Sequence, residues 1–143
     1  MVCITVMYPR LEGTRFDMDY YIDVHVPLAI RLLQRKFGVV PTSIELFGAC
    51  EGIDGSAENV DYHCICNMYF KSRAEAGRLV ELRDLQEETS AVLRDDISKY
   101  TDVEPRAFIS DVSSITVADL LARADALLTN ALGQRGGTSL CEV

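Results

Sequence analysis

His25 and His63 are the only histidines among 143 residues, and imidazole is the side chain whose ordinary pKa lies near neutrality, so proton transfer is the chemistry they could supply. His25 stands two residues before Pro27 and four after Tyr21. On a helix that spacing puts the imidazole and the phenol on one face, while the proline frees backbone carbonyls just upstream. His25 therefore either bonds one of those carbonyls or is aimed into a cavity. His63 shares a strand-like run with Asn67, two pleats along the same face, and reads as a hydrogen-bonded core or interface histidine or as a ligand contact. Asp95 and Asp96 are adjacent carboxylates, but neighbours on a helix diverge by about 100° and do not face each other. The pair reads first as solvated acids near a helix end.

The five cysteines, Cys3, Cys50, Cys64, Cys66 and Cys141, are odd in number and follow no framework, which suits free thiols in a reducing compartment. Cys64 and Cys66 share a face of a strand, yet lack the second pair a zinc site needs, so they read as buried apolar thiols. There is no phosphate-binding glycine loop, no GxGxxG and no HExxH, and the expectation is a protein without cofactor or metal. With 14 basic against 22 acidic residues the net charge is −8, and no basic cluster exceeds Arg35–Lys36, so nucleic acid is not an expected partner. No apolar run approaches the roughly 18 residues of a membrane span. Met1 to Thr5 carry no basic leader signal, and a soluble, cytoplasmic protein is expected.

Positioning these side chains requires a core, and the sequence, 48% hydrophobic and 25% charged, is long enough for one domain and too apolar for disorder. Residues 2–8 are β-branched and apolar and predict a strand. Asp17 can cap a helix from Met18, with Phe16 and Tyr21 at the spacing of a hydrophobic staple. Pro27 requires a kink or restart, and Gly38 supplies a left-handed stop after Phe37. Strands are expected at 43–50, 62–70 and 106–112, with a polar loop at 51–61. Ser72-x-x-Glu75 opens a helical region from Arg73 to about Lys99, which the polar stretch 83–90 marks as one helix or two.

The order β-α-β-β-α-β gives an α+β, ferredoxin-like fold, with two helices on one face of a four-stranded antiparallel sheet. The other face is left bare, and strands apolar on both sides predict a homodimer. Beyond residue 112, Val117, Leu120, Leu121, Ala124, Leu127, Leu128 and Ala131 recur at helical spacing. The expected organisation is a domain over 1–112 and an extension over 113–143, with a helix at about 116–132 and a loose tail from Gln134.

Tyr8-Pro9, Phe16-Asp17-Met18-Asp19-Tyr20-Tyr21 and His25-Val26-Pro27-Leu28, followed by the run from Asp96 to Pro105 and by Ile109-Ser110-Asp111-Val112, resemble the EthD family. These are small proteins of the dimeric α/β-barrel superfamily, and the likeness extends over about residues 2–112. The resemblance implies sheets that pair into a barrel and a ligand cleft between each sheet and its helices. Members and structural cousins include accessory proteins of ether-degrading oxygenase systems, decarboxylases and dehydratases of aromatic polyketides, cofactor-free monooxygenases and lactone isomerases, and some members are labelled reductases. The motif residues carried over are Tyr20, Tyr21, His25, Pro27 and Asp96.

The implied chemistry has His25 move a proton at a carbon next to a carbonyl while Tyr20 or Tyr21 holds the oxygen and Asp96 orients the imidazole or acts as a second acid or base. The substrate would be hydrophobic, aromatic or polyketide-like, and the candidate ligand contacts are His63, Asn67, Met68, Phe70 and Tyr100. The alternative is a non-catalytic ligand-binding or accessory protein of an oxygenase system.

Overall fold

Alternation along the first strand, β1 (Val2–Pro9), sends Ile4, Val6 and Tyr8 to one side of the sheet, and the same period along β3 (Tyr62–Phe70) sends Cys64, Cys66, Met68 and Phe70 there too. The structure, a computed structural model, describes residues 1–54 and 61–136. Part of the expected loop at 51–61, Cys141 and most of the expected loose tail lie outside the described residues. With β2 (Ser43–Cys50) and β4 (Arg106–Asp111) the four strands run in the order β2-β3-β1-β4, every pair antiparallel, as the ferredoxin-like reading requires.

The register has one irregularity that matters for the site. Tyr8 pairs with Cys64 but Pro9 pairs with Tyr62, so β3 carries one extra residue there, His63. A bulge of this kind re-aims the side chain it inserts. On the opposite flank Ala49 of β2 takes a φ of 50°, a left-handed value uncommon outside glycine.

Asp17 caps the short helix α1 (Met18–Tyr20), accepting from the Tyr20 N–H at 2.9 Å, and the rings of Phe16 and Tyr21 meet at 5.2 Å as a staple. The chain then widens into a π-helical turn, Tyr21–His25, in which the Val26 N–H reaches the carbonyl of Tyr21 five residues back. Helix α2 (Val26–Phe37) follows with Pro27 in its first turn, and it ends at Gly38, whose φ is 68°. The helical region after Ser72 is two helices, α3 (Arg73–Asp84) and α4 (Glu88–Tyr100), parted by extended backbone at Leu85. The polar run across the break offers no apolar stripe to carry one helix through.

Helix α1 and the end of α4 are laced together. Phe16 bridges to Thr101, the Asp17 N–H donates to the Tyr100 carbonyl at 2.7 Å, and the buried Thr101 hydroxyl donates to the Arg15 carbonyl at 2.9 Å. Leu33, Phe70, Leu82 and Tyr100, all fully buried, fill the layer between sheet and helices.

The chain divides into a unit spanning Met1–Val112 and a second beginning at Ser113. Within the second, Thr116 accepts from the Asp119 N–H at 3.1 Å and starts α5 (Val117–Gly136). The helix passes through Gly133, where the sequence places its end, and continues to Gly136. One internal glycine costs about 1 kcal/mol against alanine, and Gln134 and Arg135 beyond it are good helix formers. No helix among the described residues is long and apolar enough to cross a membrane.

Gly38 gives a direct test of these boundaries. A Cβ there would meet nothing within 4 Å, so Gly38→Ala isolates the backbone term. Urea unfolding should show a loss of about 1 kcal/mol, the strain of a left-handed alanine.

Candidate active site

Three elements converge on one carboxylate. From α4, Asp96 accepts the Tyr20 hydroxyl on Oδ1 at 2.6 Å and faces the Nδ1 of His25 with Oδ2 at 2.9 Å. Ionised aspartate only accepts, so Nδ1 carries the hydrogen, and in the neutral ring Nε2 is then the acceptor. Among the described residues no hydrogen bond engages Nε2. The imidazole lies between two tyrosine rings, stacked on Tyr21 at 5.6 Å and tilted against Tyr100 at 4.5 Å.

Burial governs the charges. His25 is 8% exposed, and desolvation holds its pKa below the ordinary imidazole value although Asp96 pulls the other way. Burial works against the charge on Asp96 as well, but hydrogen bonds from Tyr20 and His25, with the Lys99 ammonium 3.6 Å away, outweigh it and hold the carboxyl below the usual aspartate range. The resting state is therefore neutral imidazole beside carboxylate.

His25 lines a cavity of about 530 Å³ between the sheet and its helices. The sheet contributes Ile4, Val6, Tyr8, Cys66 and Met68 to its wall. From the helical side come Tyr21, His25, Ile30, Leu79, Ile97 and Tyr100, with Ser90, Arg83 and Arg94 at the α3–α4 break. The Tyr8 and Tyr100 hydroxyls are 3.0 Å apart, and the Tyr21 hydroxyl adjoins Tyr8 and the Cys66 thiol. Desolvation raises the pKa of all three phenols, which stay protonated as donors. Burial likewise pushes Cys64 up to about 12 and Cys66 to about 11, so neither is a thiolate at neutral pH. Among the described residues no three His, Cys, Asp or Glu side chains gather as a metal-binding group.

The four expected catalytic residues are thus neighbours, though not equivalent. His25 and Tyr21 face the cavity, whereas Tyr20 and Asp96 stand behind the imidazole and do not line it. Of the expected ligand contacts, Met68 and Tyr100 line the cavity. His63 does not, because the bulge turns it to Phe16, on which it stacks at 5.9 Å, and to the Thr14 hydroxyl, 3.0 Å from Nε2. Asn67 belongs to the sheet face away from the helices, where its Oδ1 accepts from Thr5 at 2.8 Å. Phe70 has the correct face but is sealed in the core beyond the cavity. Sequence reasoning missed Tyr8 and Ser90. The period of β1 could have found Tyr8, which sits on the same face as Ile4 and Val6, while nothing local distinguishes Ser90 from any other polar residue near a helix start.

A family model for the EthD domain matches residues 14–104. Among solved structures, the chain is similar to an EthD-like protein from Ralstonia eutropha JMP134, at 25% identity and a TM-score of 0.63 over 82% of this chain and 96% of that one. It is also similar to an ethyl tert-butyl ether d (EthD) family protein from Bacillus halodurans C-125, at 15% identity and a TM-score of 0.46 over 79% of this chain and 99% of the other. No curated protein matches the chain. With the ferredoxin-like order of elements and the motif residues grouped around His25, the domain match leads to one conclusion: the chain belongs to the EthD family.

Proposed function

We propose that the protein is a cofactor-independent enzyme that moves a proton on a hydrophobic, aromatic or polyketide-like substrate, with His25 as the acid or base. The observation that carries this reading is the Tyr20–Asp96–His25 chain, which leaves one ring nitrogen free at the wall of a largely apolar cavity. Asp96 fixes the tautomer and stabilises the imidazolium formed when Nε2 takes a proton. The oxygen that gains charge as a carbon next to a carbonyl is deprotonated would be held by a tyrosine hydroxyl. Tyr100 and Tyr8 suit that task better than Tyr20, whose hydroxyl is committed to Asp96. The Tyr8, Tyr21 and Tyr100 hydroxyls, in contact with one another, are protonated donors on residues that line the cavity. Isomerase, dehydratase and oxygenase-like reactions can begin with such a step, and a decarboxylation ends with its reverse, delivery of a proton to the enolate carbon.

The reading also includes a homodimer formed through the sheet face opposite the helices. Its support is the exposure there of Phe47, at 47%, in one cross-strand row with Ile65 and Met7, and of Phe108, at 55%, which pairs with Thr5 one row along. Light scattering at micromolar concentration should give twice the monomer mass, and Phe108→Glu should shift it toward monomer.

The pH dependence follows from the sign of the His25 shift. Its folded pKa is lowered, so the neutral form is favoured by folding and the associated stability is complete above about 6.5 and is lost as pH falls through the folded value. Asp96, also lowered, adds a further loss in the same direction at more acid pH. An NMR titration should place the His25 midpoint below about 6.5. Asp96→Asn should move it lower still, because the carboxylate is what opposes desolvation.

The activity test is turnover of a panel of anthrones and aromatic β-keto acids by purified protein with chelator and no added cofactor. His25→Ala should lower kcat by about 10²–10⁴-fold. Tyr20→Phe should lower it less, with the acid limb of the rate profile displaced. Full turnover by His25→Ala would refute the assignment.

A further inference from the structure

Among the described residues, Ser90 Oγ is the one buried side-chain oxygen or nitrogen without a hydrogen-bond partner. Ser90 is 1% exposed and lines the cavity. A hydroxyl left unpaired in an apolar environment is costly, and alanine would fill the same space without that cost. The position is also far from His25. Ser90 begins the cavity-facing stripe of α4 and Tyr100, which touches the imidazole, ends it, ten residues or about 15 Å along the helix.

Two further features share that end. Arg94, one turn after Ser90 on the same face, lines the cavity, and its Nη1 donates to the Leu85 carbonyl at 2.7 Å. Among the described residues no carboxylate pairs with Arg94, whereas Arg83 nearby is matched by Asp84 at 2.9 Å. The first turn of α4 has no side-chain cap, because Glu87 at the N-cap position makes no such bond and its carboxylate is held instead by Lys36 at 2.8 Å. An unpaired buried hydroxyl, an exposed guanidinium without a carboxylate partner and an uncapped helix start favour an oxygen anion. Of the two carboxylates that also line the cavity, Asp84 is held by Arg83 and Glu104 lies beyond the end of α4 that Tyr100 closes.

We propose that Ser90 and Arg94 anchor an anionic oxygen group of the ligand at the end of the cavity remote from His25. The substrate class then narrows to elongated aromatic molecules that carry a carboxylate or similar oxyanion at one end and the reacting carbon at the other. The orientation rests on the His25 reading above; the anchor does not.

The test uses two fluorescent probes of one skeleton, anionic 8-anilinonaphthalene-1-sulfonate and neutral N-phenyl-1-naphthylamine, titrated into the full chain. Ser90→Ala and Arg94→Met should each weaken the sulfonate probe by about tenfold or more and leave the neutral probe within about twofold. Ser90→Ala should melt at the same temperature as the parent or higher, since it removes an unsatisfied group. Ile30→Trp, which fills the cavity, should abolish binding of both probes. Unchanged sulfonate affinity in both anchor variants, an equal loss for both probes, a lower melting temperature for Ser90→Ala, or sulfonate binding that survives Ile30→Trp would each overturn the proposal. His25→Ala should retain the Ser90-dependent preference for the sulfonate, so failure of the catalytic reading and failure of the anchor are read separately.

Discussion

Residue 27 cannot donate a hydrogen bond, and the geometry of the site depends on how the chain accommodates that fact. In an unbroken α-helix Pro27 would leave the carbonyl four residues back unpaired and press its ring against it, at a cost of about 3 kcal/mol. The chain instead admits one extra residue per turn just upstream, so that Val26 bonds to Tyr21 and Pro27 falls in the first turn of a new helix, where no donor is required. Tyr21 and His25, which bound the widened turn, are both buried on its inner side and stack on each other.

What the turn delivers is a position, and the surroundings then set the chemistry. Two effects of opposite sign act on His25. Enclosure between Tyr21 and Tyr100 removes water and disfavours imidazolium, while the carboxylate of Asp96 favours it. Enclosure wins, so the ring is neutral, and Asp96 decides which nitrogen holds the hydrogen. The carboxylate can perform that task only if it stays charged in a buried place, where an unpaired ion suffers a penalty of several kcal/mol. Tyr20 and Lys99 provide the compensation from the side away from the cavity. Tyr20 thus touches Asp96 and not the cavity, which is why a motif tyrosine is absent from the wall.

The features legible in the sequence are those enforced by local rules. The cap at Asp17, the staple, the proline restart and the glycine stop at Gly38 each follow from backbone chemistry within a few residues, and they locate His25 and Tyr21 correctly. Asp96 was legible only through the family resemblance, since its role requires α4 to be laced to α1 across 71 positions of sequence separation from His25. Three of the five expected ligand contacts, His63, Asn67 and Phe70, do not line the cavity, for a different reason. Period two divides β3 into faces but does not say which one the helices cover, which cost Asn67, nor how far the cavity reaches, which cost Phe70. The bulge at His63 arises from pairing with β1 and has no signature in β3 itself.

The break between α3 and α4 is the remaining architectural requirement. A single helix over residues 73–99 would be about 40 Å long, while strands of eight or nine residues span about 26–31 Å, so an unbroken helix would overrun the sheet it must cover. Breaking at Leu85 restarts the second helix with its own inward stripe, Ser90, Leu93, Ile97 and Tyr100. That stripe forms one wall of the cavity from end to end, and Asp96 is carried on the same rigid element. The distance between the carboxylate that sets the His25 tautomer and the unpaired hydroxyl at Ser90 is therefore fixed by helix geometry, not by loop conformation. Ser90 and Tyr100, which line the cavity at opposite ends of that stripe, cannot approach each other without unwinding α4, so the cavity selects ligands by length as well as by polarity.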